Sequence, residues 1–176
     1  MRAIGTTHLA GIIPMAHEPL DFKLDWHDSL MPIAPNYYAF ERSVYECALA
    51  GCHTIWIVAD DDVSPLVRHR IGDFVQDPVF IGRKGKFPSR DRRQIPVFYV
   101  PMKEVERYCF SWNIIHGILT ANNISGDISK WLKPEKFYIS FPFGVYDPET
   151  IRPHRKDIIK SDNFFLTFEG HFFFFF

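Results

Sequence analysis

The stretch Thr54-Ile55-Trp56-Ile57-Val58-Ala59-Asp60-Asp61-Asp62-Val63-Ser64-Pro65 decides the fold. Its first six residues are β-branched, aromatic or small and run without a polar break, as a strand buried on both faces does. Three carboxylates end the run. Ser64 then offers a cap and Pro65 a first helical position. A helix is expected from there, with Leu66, Val67, Ile71, Phe74 and Val75 as its buried face.

Working backwards, residues 37–50 place Phe40, Val44, Cys47 and Ala48 at i, i+4, i+7 and i+8, one stripe of a helix. Asn36 is the expected cap and Gly51 the expected stop. Residues 7–16 (THLAGIIPMA) read as an earlier buried strand, and 17–35, broken by Pro19, Pro32 and Pro35, as an irregular stretch. Working forwards, residues 77–93 read as a polar loop and 95–100 (IPVFYV) as a third strand. A helix is expected over 111–122, with Trp112, Ile115, Leu119 and Asn122 on one stripe, and a fourth strand over 137–143 (FYISFPF). Apolar strands alternating with helices imply right-handed crossovers and a mainly parallel sheet. The expected class is therefore α/β: a three-layer Rossmann-like domain over residues 1–170, followed by a Phe-rich end at 171–176. Ligands of such sheets sit beyond the carboxyl ends of the strands. Those ends are expected at 17–28, 60–62, 101–111 and 144–147.

The chain has 176 residues, 47% of them hydrophobic and 23% charged, which excludes general disorder. A net charge of -1 gives no field to gather nucleic acid. Three cysteines without metal-site spacing argue for a reducing compartment. No leader is visible and no run approaches the roughly 20 apolar residues of a membrane helix. A soluble, cytoplasmic protein is expected. The five Phe from Phe172 to Phe176 would be an aggregation hazard if exposed.

Residues 17–28 gather His17, Glu18, Asp21, Asp25, His27 and Asp28, oxygen and imidazole groups of the kind that hold a divalent metal. They match no known ligand spacing, and a solvated loop is the plain alternative. Lys23, in the same loop, is of the type that meets phosphate, or is a simple surface lysine. Asp60, Asp61 and Asp62 repel one another; a cation or the start of the next helix relieves that. Arg83, Lys84, Lys86, Arg90, Arg92 and Arg93 put six cations in eleven residues, a phosphate-binding pattern or an ordinary solvated loop. Asp147 follows a strand and precedes Pro148; it reads either as a Mg²⁺ ligand at the sheet mouth or as a turn-former. Phosphate-loop, dinucleotide-fingerprint, nucleophile-elbow and zinc-protease motifs are all missing.

Residues 30–62, with Met31-Pro32-Ile33-Ala34, Ala50-Gly51 and Ile55-Trp56-Ile57-Val58 in order, resemble the sugar-phosphate nucleotidyltransferase family. That family reads L-L-P-I-x-G-K-P, a helix, A-G, then a strand I-x-I-V. Residues 9–16 resemble its opening strand and 137–147 a later strand ending near a metal-binding Asp. Pro19 to Phe22 and Trp26 to Pro32 are similar to segments of phage-encoded nucleotidyltransferases. The family's G-G-x-G-T-R loop is replaced here by Pro14-Met15-Ala16-His17-Glu18-Pro19, and its G-T-A element by Phe110-Ser111-Trp112. The resemblance implies a nucleotide-diphospho-sugar transferase-like fold, shorter than the family's whole catalytic domain. It implies transfer of a nucleoside monophosphate from a nucleoside triphosphate to a sugar phosphate or similar acceptor, with Mg²⁺. It places Lys23 on the phosphates as the catalytic residue, Asp147 on the metal, and Ala16, His17, Glu18, Pro19, Asp60 and Ser111 around the nucleotide. With the glycines and arginine lost, the other reading is an inactive fold serving as a binding or virion module. Its partner would be a second copy or a virion protein, and a phage-encoded chain would act in the host cytoplasm.

Overall fold

A computed structural model describes residues 7–16, 26–81, 93–102, 109–128, 133–144, 146–168 and 171–173. Four strands are parallel: β1 (Leu9–Pro14), β4 (Thr54–Ala59), β6 (Gln94–Pro101) and β7 (Lys136–Ile139). A short antiparallel β5 (Phe74–Gln76) borders β6, giving the order β5-β6-β4-β1-β7. The parallel strands thus lie third-second-first-fourth, the Rossmann-like α/β arrangement expected from the alternation of strands and helices. Two small hairpins complete the list: β2 (Pro32–Ala34) with β3 (Tyr37–Tyr38), and β8 (Leu166–Phe168) with β9 (His171–Phe173).

The pleat divides the core in two. Leu9 and Ile13 of β1 and Ile55 and Ile57 of β4 pack on the side of α1 (Ala39–Ala50) and α2 (Ser64–Ile71), with Phe40, Leu49 and Val67. Ala10, Ile12, Trp56 and Val58 face α4 (Phe110–Ile128) on the other side, with Ile114 and Ala121. Three layers result. α1 stops where expected: Gly51 takes φ 96°, and the amide of Cys52 bonds back to the Cys47 carbonyl at 3.1 Å. This is the glycine-terminated cap in which the second residue past the helix bonds back to the last helical turn. α3 (Pro78–Ile81) and α5 (Arg155–Lys160) lie on the α1 side.

Several local expectations differ from what forms. Asn36 (φ 57°) sits in the β2–β3 turn, so α1 begins two residues later behind Tyr38, whose amide donates to Glu41 at 2.8 Å. α2 ends at Ile71 because Gly72 turns at φ 77°, and Phe74 and Val75 become strand β5, with Phe74 exposed. Residues 78–81, expected in a loop, form a helical turn started by Asp77, which accepts from the Val79 amide at 3.0 Å. Residues 28–30 make a 3-10 turn within the stretch expected to be irregular.

The largest revision concerns α4. It is longer than expected, and Trp112, Ile115 and Leu119 face away from the sheet. Its buried residues are Asn113, Ile114, Gly117, Ala121 and Ser125. Small residues win that face because the approach is close: a Cβ on Gly117 would lie 2.9 Å from a Val58 methyl and 3.0 Å from one of Ile12. Among the described residues no helix is long and apolar enough to cross a membrane.

Candidate functional site

The first connection, through α1, leaves β1 on one face; the last, through α4, returns to β7 on the other. Past β1 the chain leads into the stretch before α1, and past β7 residues 148–160 return to the α1 side, so α1 borders the carboxyl ends of both strands, the end at which sheets of this class take ligands. This end of the sheet is unusually polar for a layer boundary. His27, Asp28, Ser29, Arg42, Glu46 and Ser140 are all buried.

Two groups of contacts organise it. Past β1, Met15 extends the pairing by donating to the Val58 carbonyl at 2.9 Å. The Met15 carbonyl, 3.0 Å from His27 Nε2, can only accept, so Nε2 carries the proton. Nδ1 then accepts from the Ser29 hydroxyl (2.6 Å) and amide (3.3 Å). One imidazole thus ties the 3-10 turn to the end of the first strand.

Past β7, Arg42 reaches across from α1. Its guanidinium donates to Glu46 at 2.7 Å, to the Ser43 hydroxyl at 3.1 Å and to the Phe141 carbonyl at 2.6 Å, and lies 4.7 Å from the centre of the Tyr146 ring. Glu46 also accepts from the Tyr138 hydroxyl (2.7 Å) and the Ser140 hydroxyl (2.8 Å). Burial first, and then the Glu46 carboxylate, push both the Tyr138 and Tyr146 phenols far above their ordinary value. These tyrosines are therefore hydrogen-bonding groups and not acids.

The residues singled out from sequence fall in different places. Ala16 is buried at the end of β1. Asp60 is nearly buried at the end of β4, and its carboxylate accepts from the Val63 amide at 3.0 Å. It caps the turn into α2, the place expected of Asp61 or Asp62 with Ser64 as cap, while Asp61 and Asp62 are exposed. Ser111 is exposed on the first turn of α4 and lines a separate cavity against β7. Asp147 is exposed, one residue past the Tyr146 ring that Arg42 covers, and accepts from the Glu149 amide at 3.0 Å. His17, Glu18, Pro19 and Lys23 lie outside the described residues, as do residues 82–92 of the basic loop.

Among the described residues no three His, Cys, Asp or Glu side chains are grouped to hold a metal ion. Asp147 offers one carboxylate, half committed to its turn. A Mg²⁺ arriving on a triphosphate takes one or two carboxylates and fills the rest with phosphate and water. The residue fits that role and not a preformed protein cage.

Sequence reasoning missed Arg42 and Glu46. Their spacing of four is visible, but a charged pair at that spacing normally marks a solvated helix face.

No family model matches the chain, and no curated protein matches it. Among solved structures, that of Rv0371c from Mycobacterium tuberculosis H37Rv is similar over 87% of this chain, at 13% identity and a TM-score of 0.45. The match spans 61% of that protein's length. A likeness this remote says nothing of chemistry.

Proposed function

We propose that this chain is a nucleotidyltransferase-like domain that holds a nucleoside triphosphate beyond the carboxyl ends of β1, β4 and β7. It passes the nucleoside monophosphate to a sugar phosphate or similar acceptor. One observation supports this reading above the others: the gathering of buried polar side chains, Arg42 and Glu46 among them, beyond the carboxyl ends of β1 and β7. The family resemblance of residues 30–62 points the same way.

In the reaction an oxygen of the acceptor phosphate bonds to the α-phosphorus, the bond to the β-phosphate breaks, and pyrophosphate leaves. Catalysis is then positioning and charge neutralisation. Mg²⁺, when bound, supplies the neutralising charge on the phosphates, with Asp147 as its protein ligand. Lys23 adds a cation to the same phosphates, and the loop that includes Ala16, His17, Glu18 and Pro19 lies against the nucleotide. Arg42 is a positioning residue. Its bond to the Phe141 carbonyl and its stacking on Tyr146 hold the turn that carries Asp147.

A thermal-shift panel of nucleoside triphosphates with and without Mg²⁺, followed by pyrophosphate release in the presence of pooled sugar phosphates, tests the reading. Stabilisation by at least one triphosphate, with release, is expected. No shift with any of them refutes nucleotide binding. A second reading, a non-catalytic binding or virion module, draws on the missing glycine loop and on the apolar outer side of α4. Pyrophosphate release by the purified protein refutes that second reading.

A further inference from the structure

Helix α4 has 19 residues and one formally charged side chain, Asp127. A helix lying on a sheet ordinarily turns charged and polar residues outward. Here the outward stripe is Trp112, Ile115 and Leu119, which are 57%, 45% and 56% exposed. Beside the stripe lies a cavity of about 590 Å³, walled by Ile115 and Ile118 of α4, by Phe137 and Ile139 of β7, and by Phe164 and Phe165. Phe165 is itself 50% exposed.

We propose that this face is the interface with a second copy of the same chain, arranged about a two-fold axis. Three features select that occupant. The first is shape: an exposed indole and an apolar hollow lie side by side, so each copy offers both halves of an isologous contact. The second is charge. The centre of the patch has none, which disfavours nucleic acid and also anionic lipid surfaces, whose helices carry Lys and Arg. The rim of the cavity carries both signs, in Glu135, Lys136 and Asp162. Lys136 is already held within the chain, 4.0 Å from Asp162 and donating to the Ile159 and Ser161 carbonyls, so the rim offers little pull to an anionic partner. The third is area. Aromatic side chains present about 150–250 Å² each. Half-exposure of Trp112, Phe165 and their aliphatic neighbours leaves several hundred Å² of apolar surface per copy. That is the size of the largest, often functional, apolar patch on a monomer, roughly 300–600 Å², and makes up a large part of the ~800 Å² per partner of a specific interface.

Light-scattering mass of the full chain, from low to high micromolar concentration, tests the proposal. The expected mass is twice 20.6 kDa. Leu119→Glu and Trp112→Glu alter side chains already in water, so each is expected to keep the wild-type circular dichroism and melting temperature while falling to the monomer mass. A wild-type chain that stays monomeric throughout overturns the proposal. So does an assembly that survives both substitutions, because another surface, such as the aromatic C-terminus, would then hold it.

Discussion

Arg42 and Glu46, one turn apart on α1, form an ion pair at 2.7 Å with both side chains essentially inaccessible to water. The pair joins the central helix to the end of β7, since Glu46 also receives the Tyr138 and Ser140 hydroxyls. Breaking such a pair strands a buried charge and costs about 3–5 kcal/mol. Arg42→Met is expected to lose stability of that order in urea unfolding. Arg42→Met with Glu46→Leu is expected to recover part of it, because no charge is then left buried. Equal stability of the single and double variants would contradict this.

Gly117 sets the distance between α4 and the sheet. Alanine there would add a methyl 2.9 Å from Val58. Overpacking of this kind costs about 1–3 kcal/mol, against about 1 kcal/mol gained in helix propensity. A net loss of about 1 kcal/mol is expected for Gly117→Ala, read as a lower denaturation midpoint. A rise in midpoint would mean that α4 packs less tightly than described.

At the amino end of the sheet, the Leu9 amide donates to His53 Nδ1 at 3.3 Å. Burial first, and then the Arg93 guanidinium, lower the His53 pKa to about 4. An unfolded histidine titrates near 6.5. The fold therefore prefers the neutral ring. This contribution is complete above about pH 6.5 and is lost as pH falls toward 4. Melting temperature is expected to decline across that window, and His53→Gln is expected to flatten the decline. Identical profiles for the two proteins would remove His53 from the account.

Much of the sheet was legible in sequence because buried parallel strands are short apolar runs, and Thr54 to Ala59 is one. Gly51 was legible because the cap needs a left-handed residue. The phase of α4 was not. Trp112, Ile115 and Leu119 look like a core stripe, and only the contact of Gly117 with Val58 shows that the small residues face inward. Phe74 was misplaced because a glycine at φ 77° ended its helix. At the candidate site, Asp60 and Asp147 were legible as carboxylates near strand ends. Arg42 and Glu46 were not, because nothing local tells a buried i,i+4 pair from a solvated one.

Asp147 follows Tyr146, whose ring lies under Arg42. Asp147→Ala is expected to abolish the Mg²⁺-dependent part of any triphosphate-induced thermal shift while leaving the metal-free part. An unchanged Mg²⁺ dependence would take the metal role away from this residue.

The most direct measurement is a crystal structure of the full chain grown with a nucleoside triphosphate and Mg²⁺. The account predicts triphosphate density beyond the carboxyl ends of β1 and β7, within reach of the turn that holds Asp147. Nucleotide bound at another surface, or none at saturating concentration, would contradict it.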